Sequence, residues 1–232
     1  MNSLQKMGGV AALYMATAYV VGIILFLFVL DYPNIVDPAQ KVALLVDKQL
    51  TIYAMNLILY VIFGVFLIVL VLALYERLKA GAPAMMKMAA VIGIIWAGSL
   101  IASGMVSNAG IAPVIALYAK DPAQAALTWL GFEVVAEGLG NGNGEILGGL
   151  MTLLISWAAL NTGGLPKSLN YLGMVVGLIG IISTIPGLND LTGMFGMSQI
   201  VWFVWLAIIM LRPNPNAARA PLAFDAELVS VK

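Results

Sequence analysis

The chain has 232 residues, 62% of them hydrophobic and only 9% charged, whereas a water-soluble domain carries about a quarter charged residues. It contains no cysteine and no histidine, which excludes disulfides, thiolate metal sites, thiol nucleophiles, the usual haem and zinc ligand, and the commonest general base. Eleven basic and eleven acidic residues cancel, so no cationic footprint for nucleic acid exists.

This composition predicts an all-α, polytopic membrane helix bundle. A hydrocarbon core about 30 Å thick needs about 20 apolar residues in a helix. Six runs are the candidate transmembrane helices, at 7–30, 52–75, 88–106, 145–160, 171–186 and 195–211. None alternates apolar with polar residues, so a β-barrel is set aside. The first run is too long for a signal peptide and has no small-x-small cleavage site before Asp31, so it reads as a retained anchor.

Six crossings with the N-terminus inside put Lys6, Arg77, Lys79, Lys87, Lys167, Arg212, Arg219 and Lys232 on one side, and Lys41, Lys48 and Lys120 on the other. The excess of positive charge marks the first side as cytoplasmic and places both termini there. Residues 1–212 then form the bundle. The stretch 213–232, with three prolines, reads as a mobile cytoplasmic tail.

Between spans, "DPAQKVALLVDKQL" begins at Asp37 and "DPAQAALTWLGFEV" at Asp121. Asp as N-cap with proline as the first helical residue starts a helix: the carboxylate accepts from free N–H groups, and proline lacks only a donor that would be orphaned. Two short outer-face helices are expected, at 38–49 and 122–139. An internal duplication and independent use of a favourable cap both remain open. The segment "PGLNDLTG" between the last two runs does not repeat the device.

On the third run Ser99, Ser103 and Ser107 recur every four residues, with Asn108 beside the last. The expectation is a close-packing seam whose hydroxyls bond their own backbone, in preference to a hydrated groove.

The most unusual stretch is "FEVVAEGLGNGNGEILGG", residues 132–149. In a helix Glu133 and Glu137 lie about 40° apart, on one stripe with Ala126, Trp129 and Leu130, with Gln124 and Thr128 opposite. That division is wrong for a helix lying on a membrane surface. The carboxylates are expected to face packed protein or an enclosed wet cavity.

Glycines at 138, 140, 142 and 144 then cost roughly 1 kcal/mol each in a helix, so the chain turns and restarts near Glu145. From there Gly148, Gly149, Thr152 and Ser156 form a small, polar packing stripe, and Gly173 and Gly177 a second helix-contact motif.

The candidate ion or ligand site therefore comprises Glu133, Glu137, Asn141, Asn143, Glu145 and Asn108. Asn141, Asn143 and Glu145 alternate like the start of a calcium loop, but Ile146 stands where that loop needs glycine, so no metal site is assigned. The plain alternative is a loop whose acids are solvated or paired with Lys120. Every lysine lies in a loop or terminus, which leaves none for a Schiff base within the bundle.

The segments "MNSLQKMGGVAALYMATAYVVGIIL", "LNYLGMVVGLIGIIS" and "FGMSQIVWFVWLAIIMLR" resemble a group of small bacterial integral-membrane proteins, the domain of unknown function 4386 family. The resemblance implies a six-span bundle in the bacterial cytoplasmic (inner) membrane. It implies no activity and carries no functional residues across.

The expected function is non-catalytic and needs no cofactor: a scaffold or accessory subunit of a membrane complex, or a binder of lipid or a small apolar ligand. The bilayer is the expected partner, with other membrane subunits or further copies of the chain beside it. The alternative is a small permease or a proton- or cation-coupled carrier using Glu133, Glu137 and Glu145. A third reading is a lipid-modifying enzyme using the glutamate pair as acid and base.

Overall fold

A computed structural model describes residues 3–140 and 145–212. All regular structure among them is helical. Helix α1 (Ser3–Ile23) continues through a π turn at Ile24–Val29. The chain reverses at Asp31, which takes the left-handed conformation (φ 49°) that aspartate tolerates better than most residues. A short turn at Tyr32–Asn34 leads to α2 (Pro38–Asp47).

Helix α3 (Gln49–Asn56) joins α4 (Phe63–Leu78) through a second π segment at Leu57–Ile62. Then come α5 (Pro83–Tyr118), α6 (Pro122–Gly140), α7 (Ile146–Thr162), α8 (Lys167–Ile182) and α9 (Leu191–Leu211).

Both Asp-Pro starts form as their chemistry dictates. Asp37 accepts from the Ala39 N–H at 3.0 Å and Asp121 from the Gln124 N–H at 3.0 Å, with Pro38 and Pro122 as first helical residues. Helix α7 ends at Gly163, whose φ of 68° is the left-handed stop that glycine supplies without strain.

Six helices close a ring in the order α1, α4, α5, α7, α8, α9 and back to α1. Its core includes Met15, Leu67, Leu74, Trp96, Ile155, Phe195 and Trp202. A second, smaller cluster forms where α2 and α6 lean on the ring. There Val42, Leu45, Ile111, Val114, Ala125 and Trp129 bury one another.

Six membrane spans do not result. Four helical stretches are long and apolar enough to cross a membrane: Ser3–Val29, Gln49–Leu78, Pro83–Tyr118 and Leu191–Leu211. Helices α7 and α8 have 17 and 16 residues. At 1.5 Å per residue they reach only about 25 Å and 24 Å, less than the hydrocarbon thickness. The cytoplasmic placement of both termini and the outer-face assignment of α2 and α6 rested on six crossings, and they lapse with them.

Helix α5 also departs from expectation. It does not end near Ser107 and Asn108 but runs 36 residues, through Pro113. The expected tail at 213–232 lies outside the described residues.

Large apolar side chains such as Val65, Val91, Met105 and Val201, on the long helices, are each more than half exposed. A water-soluble surface does not tolerate apolar area of that extent. The protein is membrane-associated.

Candidate functional site

The site begins where the left-handed turn at Asp31 delivers Tyr32 against α6. Helix α2 packs on α6, and Lys41 reaches both carboxylate oxygens of Glu133, at 3.1 and 3.2 Å. The Tyr32 hydroxyl donates to the same carboxylate and accepts from the Trp129 indole N–H at 3.3 Å. The Lys41 ammonium also sits 5.0 Å from the centre of the Tyr32 ring. Burial, reinforced by the hydrogen bond to Glu133, holds the Tyr32 hydroxyl well above its ordinary pKa. The cation for Glu133 is thus Lys41, not Lys120, because α2 rather than the α5–α6 turn covers this part of α6.

Serines join α6 to α5. Ser99 donates to the Leu139 carbonyl and Ser103 to the Ala136 carbonyl at 2.7 Å. The hydroxyls therefore bond a neighbouring helix rather than their own backbone. Leu139 lies in the last turn of α6, where carbonyls lack an intrahelical donor, whereas Ala136 lies a turn earlier and takes the Ser103 hydroxyl as an additional donor. Asn108 ties α5 to α3, accepting from Asn56 at 3.0 Å and donating to the Tyr53 carbonyl at 3.2 Å.

Glu145 occupies the position before α7. Its N–H donates to the Ser183 hydroxyl at 3.1 Å, which in turn donates to the Gly180 carbonyl at 2.7 Å. The carboxylate plays no part in capping the helix. The residue is 8% exposed, and no hydrogen bond or ion pair to its carboxylate exists among the described residues. Asn141 and Asn143 lie outside the described residues.

Behind Glu145 the small residues pair up. Gly149 and Gly177 bring the backbones of α7 and α8 together, so closely that a Cβ on Gly149 would stand 2.7 Å from the Gly177 carbonyl oxygen. Gly148 lies under Trp96, while Gly173 makes room for Ser156 and Trp202. Thr152 accepts from Gln199 of α9 at 3.2 Å.

These elements border a partly open cavity of about 550 Å³ between α1, the π segment before α4, α5, α6 and the start of α9. Its wall is mostly apolar and aromatic, with Tyr19, Leu59, Phe63, Trp96 and Phe195 among its residues. Glu133, Glu137, Glu145 and Ser107 border it, and among the described residues no lysine or arginine does. Among the described residues no group of three His, Cys, Asp or Glu could hold a metal ion. The three carboxylates therefore share one cavity without converging on a point. Asn108 lies on the adjoining α3–α5 contact, outside the lining.

Asn56, Tyr19 and Tyr60 were missed in the sequence and border the cavity. Their signal was present. Asn56 and Tyr60 stand one helical turn apart within an apolar run, and Tyr19 lies deep within the first run, where polar side chains are costly unless they face protein or a cavity.

The sequence profile described as Domain of unknown function (DUF4386) matches residues 10–211, and the chain belongs to that family. No curated protein and no solved structure matches it.

Proposed function

We propose that this DUF4386 protein is a non-catalytic, multi-pass protein of the bacterial cytoplasmic membrane that binds a small, mainly apolar ligand or lipid chain between its helices. The cavity carries this reading. Its volume of about 550 Å³ falls within the range of small-molecule sites, about 300–1,000 Å³, and its wall is an apolar surface interrupted by a few polar groups. A chain without cysteine or histidine leaves carboxylates as its chief acid–base groups, which supports binding over catalysis.

Gly196 offers a direct test. It borders the cavity, and a Cβ there meets only Tyr19, at 3.5 Å, so a phenylalanine has room to enter. The neutral fluorophore 1-aminoanthracene, titrated into the full chain in phosphatidylcholine nanodiscs, is expected to bind saturably above empty discs. Gly196→Phe should weaken that binding at least tenfold, about 1.4 kcal/mol. Equal signals from wild type, variant and empty discs would dismiss the reading.

A further inference from the structure

We propose that the ligand of this cavity is an amphiphilic organic cation, a lipophilic amine or quaternary ammonium, whose charged head lies near Glu145 and Glu137 while its apolar body fills the aromatic chamber. This rests on the cavity being a binding site and goes on to name the chemistry of its occupant.

Charge balance leads to this conclusion. Among the described residues three carboxylates border the cavity, and no basic side chain does. Lys41 reaches in from outside the lining and engages both oxygens of Glu133, which leaves it committed. Glu137 and Glu145 have no ion pair among the described residues. Glu145 is more than nine-tenths buried, borders the cavity, and has no hydrogen-bond donor for its carboxylate among those residues. An unpaired acid in such surroundings is costly, and a cationic head in the cavity supplies the counter-charge that none of the described residues provides.

The aromatic wall favours the same occupant. Trp96, Tyr19 and Tyr60 line the chamber, and the faces of such rings attract ammonium groups, more strongly once water is displaced. A free metal ion is a poor fit, since the carboxylates do not converge. An anionic lipid head would meet like charge from Glu137 and Glu145.

The probe is tetraphenylphosphonium, a bulky lipophilic cation, used to displace 1-aminoanthracene from the full chain in phosphatidylcholine nanodiscs. Wild type is expected to release the neutral fluorophore at a tenfold or more lower concentration of the cation than the Glu137→Gln/Glu145→Gln double variant does. The variant's own fluorophore titration sets the reference for its displacement curve, and saturable binding there, at whatever affinity, shows that it is folded. Glu145→Gln alone should account for most of the loss.

Equal displacement from both proteins, with the fluorophore still bound, would overturn the cationic ligand and leave an apolar binding site standing. Absence of saturable fluorophore binding in wild type would remove the site itself, and the present proposal with it.

Discussion

Gly149→Ala is expected to lower the unfolding midpoint, although alanine normally stabilises a helix relative to glycine by up to about 1 kcal/mol. The added methyl would lie 2.7 Å from the Gly177 carbonyl oxygen and 2.8 Å from the Ile181 nitrogen. Both obstacles are backbone, so no side chain can rotate away. The expected cost is about 1–3 kcal/mol, the range of forced overpacking, because α7 and α8 must separate along their contact. Gly177→Ala should behave alike, since its Cβ would meet the Gly149 carbonyl oxygen at 2.7 Å.

Gly98 is the control. Nothing lies within 4 Å of a Cβ there, so Gly98→Ala should leave the midpoint unchanged or raise it. The five tryptophans give the readout through intrinsic fluorescence on heating. A Gly149→Ala protein as stable as Gly98→Ala would show that the two backbones do not touch.

Loss of Glu133 should be comparably damaging. Its side chain is 11% exposed and that of Lys41 21%, between a surface ion pair, worth little, and a buried one, where removing one partner costs about 3–5 kcal/mol. Glu133→Ala strands the Lys41 ammonium and takes the acceptor from Tyr32. A loss of about 2–3 kcal/mol is expected on that scale.

Lys41→Ala should cost less, because the Tyr32 hydroxyl still donates to the carboxylate. The Lys41→Ala/Glu133→Ala double variant should fall short of the summed losses by about 1 kcal/mol or more, as contacting charges couple. Strict additivity in thermal unfolding would mean that the pair contributes no coupling. Glu133→Gln should lie between wild type and Glu133→Ala, keeping an acceptor for Tyr32 but no charge for Lys41.

Local chemistry was legible in the sequence, and distance was not. The Asp-Pro starts at Pro38 and Pro122 were readable because the cap and the missing N–H act within one turn. Gly149 and Gly177 were singled out as close-contact residues on their own helices. That they meet each other follows from the α7–α8 hairpin, which no pattern on either helix displays.

The two short runs were counted as spans on apolar character, although each was well under 20 residues. The end of α5 was misread because Ser107 and Asn108 look like a polar exit. In the fold Asn108 is satisfied by Asn56 and Tyr53 of α3, so the helix continues past it.

The glutamate stripe shows the same limit. Helical spacing placed Glu133 and Glu137 on one face, but it could not separate their fates. Glu133 meets a lysine 92 residues away in sequence, brought by a helix whose course depends on the left-handed turn at Asp31. Glu137, one turn further along α6, is exposed and borders the cavity. Glu145 read as a site residue or a loop acid, and only its neighbours in space make it a buried carboxylate with no ion pair among the described residues.

Native mass spectrometry of the full chain, released from nanodiscs formed directly from its own membrane, tests the central claim most directly. A cavity that works as a binding site should retain one small hydrophobic molecule per chain in the wild type, and Gly196→Phe should lose it. Bare-chain masses for both proteins, or the same adducts on both, would contradict the account.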